Sequence, residues 1–295
     1  MASLRREGVS MYEMPLSVDE LWSRIRDEAR GLVDYEPLLA SFYHATIIGH
    51  TDLRGALSFL LSSKLADEVV SAMALREIIE QAYEADECLI EAACADIQAV
   101  CTRDPAVERF STVLLYLKGF QAIQAHRVAH WMWQQDRRSL ALYIQSRVST
   151  IFQVDIHPAA NIGFGVMFDH ATGIVVGETC VIENDVSILQ SVTLGGTGKE
   201  SGDRHPKIRK GVMIGAGSKI LGNIEVGECA RVGAGSVVLN AVPPHTTVVG
   251  VPAQVVGCAG CDTPALDMDQ TIRNAEPDCD GDQNSDKAPC NRKHA

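Results

Sequence analysis

Several things are scarce in this 295-residue chain, and each scarcity closes off a class of protein. Aromatic residues make up only 5% of it, which suits helices rich in Ala and Leu and a repeat rich in Val, Ile and Gly. No run of 18 apolar residues occurs, so no segment qualifies as a membrane-spanning helix. Met1 to Pro15 lacks the apolar stretch of a secretory signal. Positive charge is short: 26 Lys and Arg stand against 38 Asp and Glu, a net charge of -12. That balance disfavours a nucleic-acid or anionic-membrane surface, although a local basic site could still take an anionic cofactor. Nine cysteines are present, an odd number spread through helical and repeat patterns, so reduced thiols and a cytoplasmic setting are expected. Cys258-Ala-Gly-Cys261 has the spacing of a metal or redox pair, but no second pair accompanies it, and no metal is expected there.

What is present divides the chain. Hydrophobic residues make up 46%, ample for a packed core, and the length allows two domains. Residues 1–16 form an N-terminal extension, and residues 17–153 carry helical periodicity. Ser17-Val-Asp-Glu20 is a capping box ahead of Leu21, Trp22 and Ile25. Further apolar faces run through Leu53, Leu57, Leu60 and Leu61, through Leu75, Ile78, Ile79 and Ala82, and through Leu89, Ala93, Ile97 and Val100. Asp104-Pro105 reads as a helix start, with Asp104 as N-cap. His126, His130, Trp131 and Trp133 read as packing between helices.

From residue 154 the period changes to six. Aliphatic or aromatic anchors stand at Ile156, Ile162 and Phe168, then at Val176, Ile182, Ile188 and Leu194. They resume at Ile208, Ile214, Ile220, Val226, Val232 and Val238. Glycine often follows the anchor, and a small or β-branched residue stands four places after it. Three six-residue sides make one triangular coil, with anchors stacked inside, small residues at the corners and each coil buried against its neighbours. A helix does not fit this spacing. The predicted fold is therefore α+β: an N-terminal all-helical domain, a left-handed parallel β-helix of hexapeptide repeats over 154–257, and a flexible acidic tail over 258–295.

Two places break the ladder. Two extra residues lie between Phe168 and Val176, within Phe168-Asp-His-Ala-Thr-Gly173, and eight lie between Leu194 and Ile208. His170 falls at a solvent-facing position, and Asp155 precedes it by 15 residues, close enough to one coil length for the two to be neighbours. A carboxylate beside an imidazole fixes its tautomer and raises its basicity, as a general base requires. The second excursion, Gly195 to Lys207, ends in Arg204 and His205, and an Arg can grip a carboxylate through two parallel hydrogen bonds. This loop lacks the residue order of a phosphate-binding P-loop.

The segments Val154-Asp-Ile-His-Pro158, Asp169-His-Ala-Thr-Gly173, Gly195-Gly-Thr-Gly-Lys199 and Asp203-Arg-His-Pro-Lys207, with Thr102-Arg-Asp-Pro-Ala106 in the helical part, resemble the serine O-acetyltransferase family over residues 15–257. The resemblance implies acetyl transfer from acetyl-CoA, as co-substrate, to the L-serine hydroxyl, in cysteine biosynthesis. It implies His170 as general base oriented by Asp155, Asp104 and Asp169 on the serine ammonium, and Arg204 and His205 on its carboxylate. Gly196, Ala216 and Ala234 would lie along the CoA arm. It also implies a homotrimer, or a dimer of trimers forming a hexamer, and feedback inhibition by L-cysteine. Family members commonly end in isoleucine and dock through it into O-acetylserine sulfhydrylase. This chain ends Lys293-His294-Ala295, a departure that weakens the expectation of that partner, though Asp267-Met-Asp-Gln270 is similar to the family tail.

Other readings keep part of this pattern. A sugar hydroxyl or an amine could be the acceptor, but Arg204 suits an amino-acid carboxylate better. A zinc hydratase could draw on His157, His170 and His205, yet Asp155 and Arg204 would be poor neighbours for that metal. A catalytically decayed scaffold would have no need of both His170 and Asp155.

Overall fold

The computed structural model describes residues 15–198 and 201–271. Its helices are α1 (Val18–Tyr35), α2 (Ala40–Tyr43), α3 (Leu53–Leu65), α4 (Ala72–Ala85), α5 (Cys88–Arg103), α6 (Phe110–Tyr116), α7 (Lys118–Gln134) and α8 (Arg138–Phe152). The capping box forms as expected: Ser17 Oγ accepts from the Glu20 N–H, and the Glu20 carboxylate accepts from the Ser17 N–H at 2.9 Å. Leu21, Trp22, Ile25 and Ala29 on the apolar stripe of α1 are buried. Among the described residues no helix is long and apolar enough to cross a membrane.

Asp104 does not open a helix. It closes α5, donating its N–H to the Val100 carbonyl at 2.9 Å, and its carboxylate then accepts from the Ala106 N–H at 2.8 Å. The cause is Pro105, which pushes the preceding residue out of the helical region; Asp104 sits at φ -96, ψ 109. The His and Trp cluster packs between elements as expected. The His126 and His130 rings lie 5.9 Å apart, and Trp133 meets His157 edge-on at 5.1 Å.

The repeat region is a parallel β-solenoid with three faces. Face A holds β1 (Val154–Ile156), β4 (Ile174–Val176), β7 (Thr193–Gly195), β10 (Lys219–Leu221) and β13 (Val237–Val238). Face B holds β2 (Asn161–Ile162), β5 (Val181–Ile182), β8 (Lys207–Ile208) and β11 (Glu225–Val226). Face C holds β3 (Met167–Phe168), β6 (Ser187–Ile188), β9 (Met213–Ile214) and β12 (Arg231–Val232), and closes with the antiparallel pair β14 (Thr246–Gly250) and β15 (Ala253–Cys258). All thirteen anchors read from the sequence are buried. So are the corner residues Ala160, Val166, Val186, Val192, Ser218 and Ser236, and the Ser218 hydroxyl is satisfied by the Gly215 carbonyl at 2.8 Å. Thr172 is the exception, exposed at the first break in the ladder.

A buried ionic joint holds the helices to the first coil. Arg127 donates to Asp96 at 2.7 Å and to the Ile162 and Gly163 carbonyls at 3.0 and 2.7 Å, while Asp96 also accepts from Gln124 and from the Val166 N–H. With its partners arranged this way, the Asp96 charge is tolerated at 0% exposure.

The stretch assigned to the tail begins with order. Helix α9 (Pro264–Asp267) lays Ala265 against Leu189 and Met213, and the Ala265 carbonyl accepts from Ser187 Oγ at 2.9 Å. Residues 272–295, with the terminal Lys293-His294-Ala295, lie outside the described residues. The expectation of reduced thiols fails at Cys258, which is disulfide-bonded. Cys261 is free, so the CxxC pair is not joined to itself.

Candidate active site

Strand register converts sequence distance into position. Met167 pairs with Ser187, Ser187 with Met213 and Met213 with Arg231, steps of 20, 26 and 18 residues. The regular coil is 18 residues; the two-residue and eight-residue insertions account for the longer steps. The two-residue insertion is spent before Thr172, whose carbonyl accepts from the Ser191 N–H. From Thr172, steps of 18, 26 and 18 lead to Gln190, Ala216 and Ala234. These four residues form one column along the corner between faces C and A, with His170 in the turn just before it. Backbone hydrogen bonds tie the column together, from Gly217 to the Gln190 carbonyl at 2.9 Å and from Gly235 to the Ala216 carbonyl at 2.8 Å. Small side chains at Ala216 and Ala234 leave the upper column open.

The foot of the column is strained. His170 and Ala171 both sit in the left-handed region, at φ 54 and 63, which side-chain-bearing residues rarely occupy in succession. The extra residues of the insertion are taken up in this tight turn, where the Ala171 N–H reaches the Asp169 carbonyl. Helix α7 abuts the turn at Gly119: a Cβ there would lie 2.0 Å from the Phe168 carbonyl oxygen. Lys118 beside it donates to Thr172 Oγ1 at 2.5 Å. His170 projects with its side chain 75% exposed, and its Nε2 is 3.9 Å from Asp169 Oδ1. Asp104 arrives at the same place from the end of α5. Burial raises the Asp169 carboxyl above its usual range, His170 pulls it back, and the nearby Asp104 charge raises it again. Two carboxylates and an imidazole thus share one corner.

The corner between faces A and B holds the other candidates. Val181 pairs with Lys207, a step of 26, and that step sets Arg204 over Glu178 and His205 over Thr179. Arg204 donates to Glu178 at 2.7 Å, and this bond holds the Glu178 carboxyl below its usual range. His205 is 7% exposed, its ring lying on Gly177, where a Cβ would come within 2.0 Å of it. The Thr179 N–H donates to His205 Nδ1 at 3.2 Å, so the ring proton resides on Nε2. Burial, then Arg204, lowers the His205 pKa and keeps the ring neutral. Lys207 braces the loop through Asp203 at 2.5 Å and the Thr179 carbonyl at 2.7 Å. Gly196 lies against Arg204 on this side.

Asp155 stands in the middle of β1, opposite Val175. Its local coil step is 20, from Val154 to Ile174, so the 15-residue separation from His170 falls short of a coil. Within the chain Asp155 accepts from Gln145 at 2.7 Å, and its charge acts on His157. The sequence-read residues therefore gather in two groups. Asp104, Asp169, His170, Ala216 and Ala234 are at one edge; Arg204, His205 and Gly196 are at the other, with Asp155 on the face between. Glu178, Thr179 and Gln190 join them unforeseen. Gln190 has a buried Oε1 without a partner among the described residues. Their signal was the coil step, hidden by the insertions. Among the described residues no group of three or more His, Cys, Asp or Glu is placed to hold a metal.

A parallel solenoid with an imidazole at a strained corner, beneath an open column of small residues, defines the hexapeptide-repeat acyltransferase class. Residues 205–240 match the family described as bacterial transferase hexapeptide (six repeats), and residues 21–125 match the one described as serine acetyltransferase, N-terminal. The serine acetyltransferase of Salmonella typhimurium strain LT2 is 66% identical over 250 residues, 85% of this chain and 92% of the relative. A serine acetyltransferase solved in complex with cysteine is 62% identical, with a TM-score of 0.86, covering 87% of this chain and all of that one. Another, solved in complex with CoA, is 62% identical, with a TM-score of 0.79, covering 81% of this chain and all of that one. The chain belongs to the serine acetyltransferase family.

Proposed function

We propose that this chain transfers the acetyl group of acetyl-CoA to the hydroxyl of L-serine, giving O-acetyl-L-serine and CoA. The observation that carries the reading is the pairing of Asp104 and Asp169 beside His170, with a cation and a neutral imidazole, Arg204 and His205, at the opposite edge of the coil. An amino acid needs both: carboxylates for its ammonium, and donors for its carboxylate. Arg204, freed from Glu178, and the Nε2–H of His205 supply those donors.

His170 takes the proton from the serine Oγ as that oxygen attacks the thioester carbonyl. The C–S bond of the resulting tetrahedral adduct then breaks, and the sulfur of CoA leaves with the proton held by His170. Asp155 orients His170 and stabilises the imidazolium. The column of Ala216 and Ala234, faced by Gly196, receives the extended arm of CoA. The relative solved with CoA supports that ligand, and the one solved with cysteine supports a competitor that differs from serine only in carrying a thiol for the hydroxyl.

The two groups lie on different edges of one coil, so the site is completed between copies: the C–A corner of one chain faces the A–B corner of the next in a closed trimer. The high exposure of His170 and the occupation of Asp155 by Gln145 within the chain support this. A groove of about 690 Å³ between α5 and the solenoid contains none of His170, Asp155, Arg204 or His205, which also supports a shared site.

The test is CoA release from acetyl-CoA with L-serine, homoserine, a galactoside or no acceptor. Release that is strong with L-serine alone is expected. Equal release with a galactoside, or release independent of any acceptor, would overturn the assignment.

A further inference from the structure

The serine-ammonium pocket straddles two structural units, since Asp104 comes from helix α5 and Asp169 from the turn after β3. Something must set the distance between them. The Asp96–Arg127 joint is a turn or more of helix away from Asp104. The nearer anchor is Arg103, the last residue of α5.

Arg103 is 5% exposed, and its side chain turns away from the pocket into the B–C corner of the second coil. Its Nη1 donates to Ser187 Oγ at 3.1 Å and to the Val186 carbonyl at 3.4 Å; its Nη2 meets the Asp185 carboxylate at 3.4 Å. Ser187 is the residue that pairs with Met167 on β3, and the next residue, Ile188, accepts the Asp169 N–H at 2.8 Å. Arg103 is thus bonded to the strand pair that carries Asp169, while its own backbone carries Asp104. Ser187 Oγ passes the contact on by donating to the Ala265 carbonyl of α9. Burial pushes the Arg103 pKa down to about 10, with Asp185 and Asp96 opposing, so the guanidinium is still charged at neutral pH. Holding a cation there has no return in solvation, and its return is in geometry.

We infer that Arg103 is a positioning residue for serine binding: it fixes Asp104 relative to Asp169 through Ser187, without touching the substrate. This rests on the assignment of Asp104 and Asp169 to the serine ammonium.

The test compares Arg103→Met, Arg103→Lys and Ser187→Ala with the parent and with Asp104→Asn, each in the full chain, by steady-state kinetics in both substrates and by thermal melting. Losing hydrogen bonds to a buried cation and letting the pocket drift should raise the serine KM about tenfold or more in Arg103→Met. The acetyl-CoA KM should stay within about twofold, because the CoA column stands on other corners. Arg103→Lys should restore part of the serine affinity. Ser187→Ala, which keeps the cation and its fold, should raise the serine KM about threefold. A purely structural role predicts a lower melting temperature with both KM values unmoved or moving together, and that result would overturn the inference. Should Arg103→Met fail to fold, Ser187→Ala decides alone, and an unchanged serine KM there refutes it. If Asp104→Asn itself leaves the serine KM unchanged, the underlying assignment of Asp104 fails instead.

Discussion

Two inactive variants should make an active enzyme when mixed. His170→Ala spoils the C–A edge of a chain and leaves its A–B edge intact; Arg204→Ala does the reverse. In the proposed trimer, each variant alone leaves one defect in every site. In a randomly mixed 1:1 assembly, a site is intact when its C–A edge comes from the Arg204→Ala chain and its A–B edge from the His170→Ala chain. Every trimer that contains both variants has one such site among its three, so turnover of the purified mixed assemblies should approach about a third of the parent value. The contrast is large, because removing a general base alone costs roughly 10²–10⁴ in rate. The assay is co-expression with two affinity tags, tandem purification of mixed assemblies, and CoA release at an L-serine concentration near the parent KM, where Arg204→Ala alone is inactive. Mixed assemblies no more active than the better single variant would refute the shared site and require both edges to act within one chain.

The pH dependence of serine binding should carry the mark of Asp169. In the proposed site its raised carboxyl must ionise to hold the ammonium, so kcat/KM for serine should fall on acidification at a higher pH than an ordinary carboxylate would give, while the acetyl-CoA dependence lacks that limb. The folded chain holds this proton more tightly than the unfolded chain, so ionised Asp169 opposes folding, and the deficit appears as pH rises through the raised value. Asp169→Asn should therefore raise the melting temperature at neutral pH while abolishing serine affinity; a lower melting temperature would contradict this. Gly177→Ala drives a methyl into the His205 ring, so the serine KM should rise roughly tenfold to a hundredfold, with a loss of solenoid stability of about 1–3 kcal/mol by urea unfolding. Asp96→Asn breaks the buried joint to Arg127 and should cost about 3 kcal/mol in denaturant unfolding; a loss near zero would mean the helices are held to the solenoid without this ion pair.

The frame was legible because its period is a direct image of its geometry. Ile156 through Val238 are buried for the reason their spacing implies, each stacked one coil above another. Local chemistry was legible where it is self-contained, as in the Ser17–Glu20 cap. It misled at Asp104, where the helix before the residue and the proline after it outweighed the capping preference. Long-range pairings were hidden wherever an insertion changed the coil length. Glu178 under Arg204 needed a step of 26 and the β3–β6 pair beside Asp169 a step of 20, whereas the regular ladder offered 18. Arg103 stood out only as part of the Thr102-Arg-Asp-Pro-Ala106 segment, with no sign of its partner, since Ser187 lies 84 residues away on another unit.

The most direct test of the account is turnover by purified His170→Ala, measured as CoA release with L-serine and paired with circular dichroism and thermal melting. The account predicts a loss of about two to four orders of magnitude in kcat with the spectrum and melting temperature retained. The exposed imidazole supports no part of the core. Near-normal turnover in a folded variant would remove His170 from the chemistry, and the strained corner on which the site is built would need another explanation.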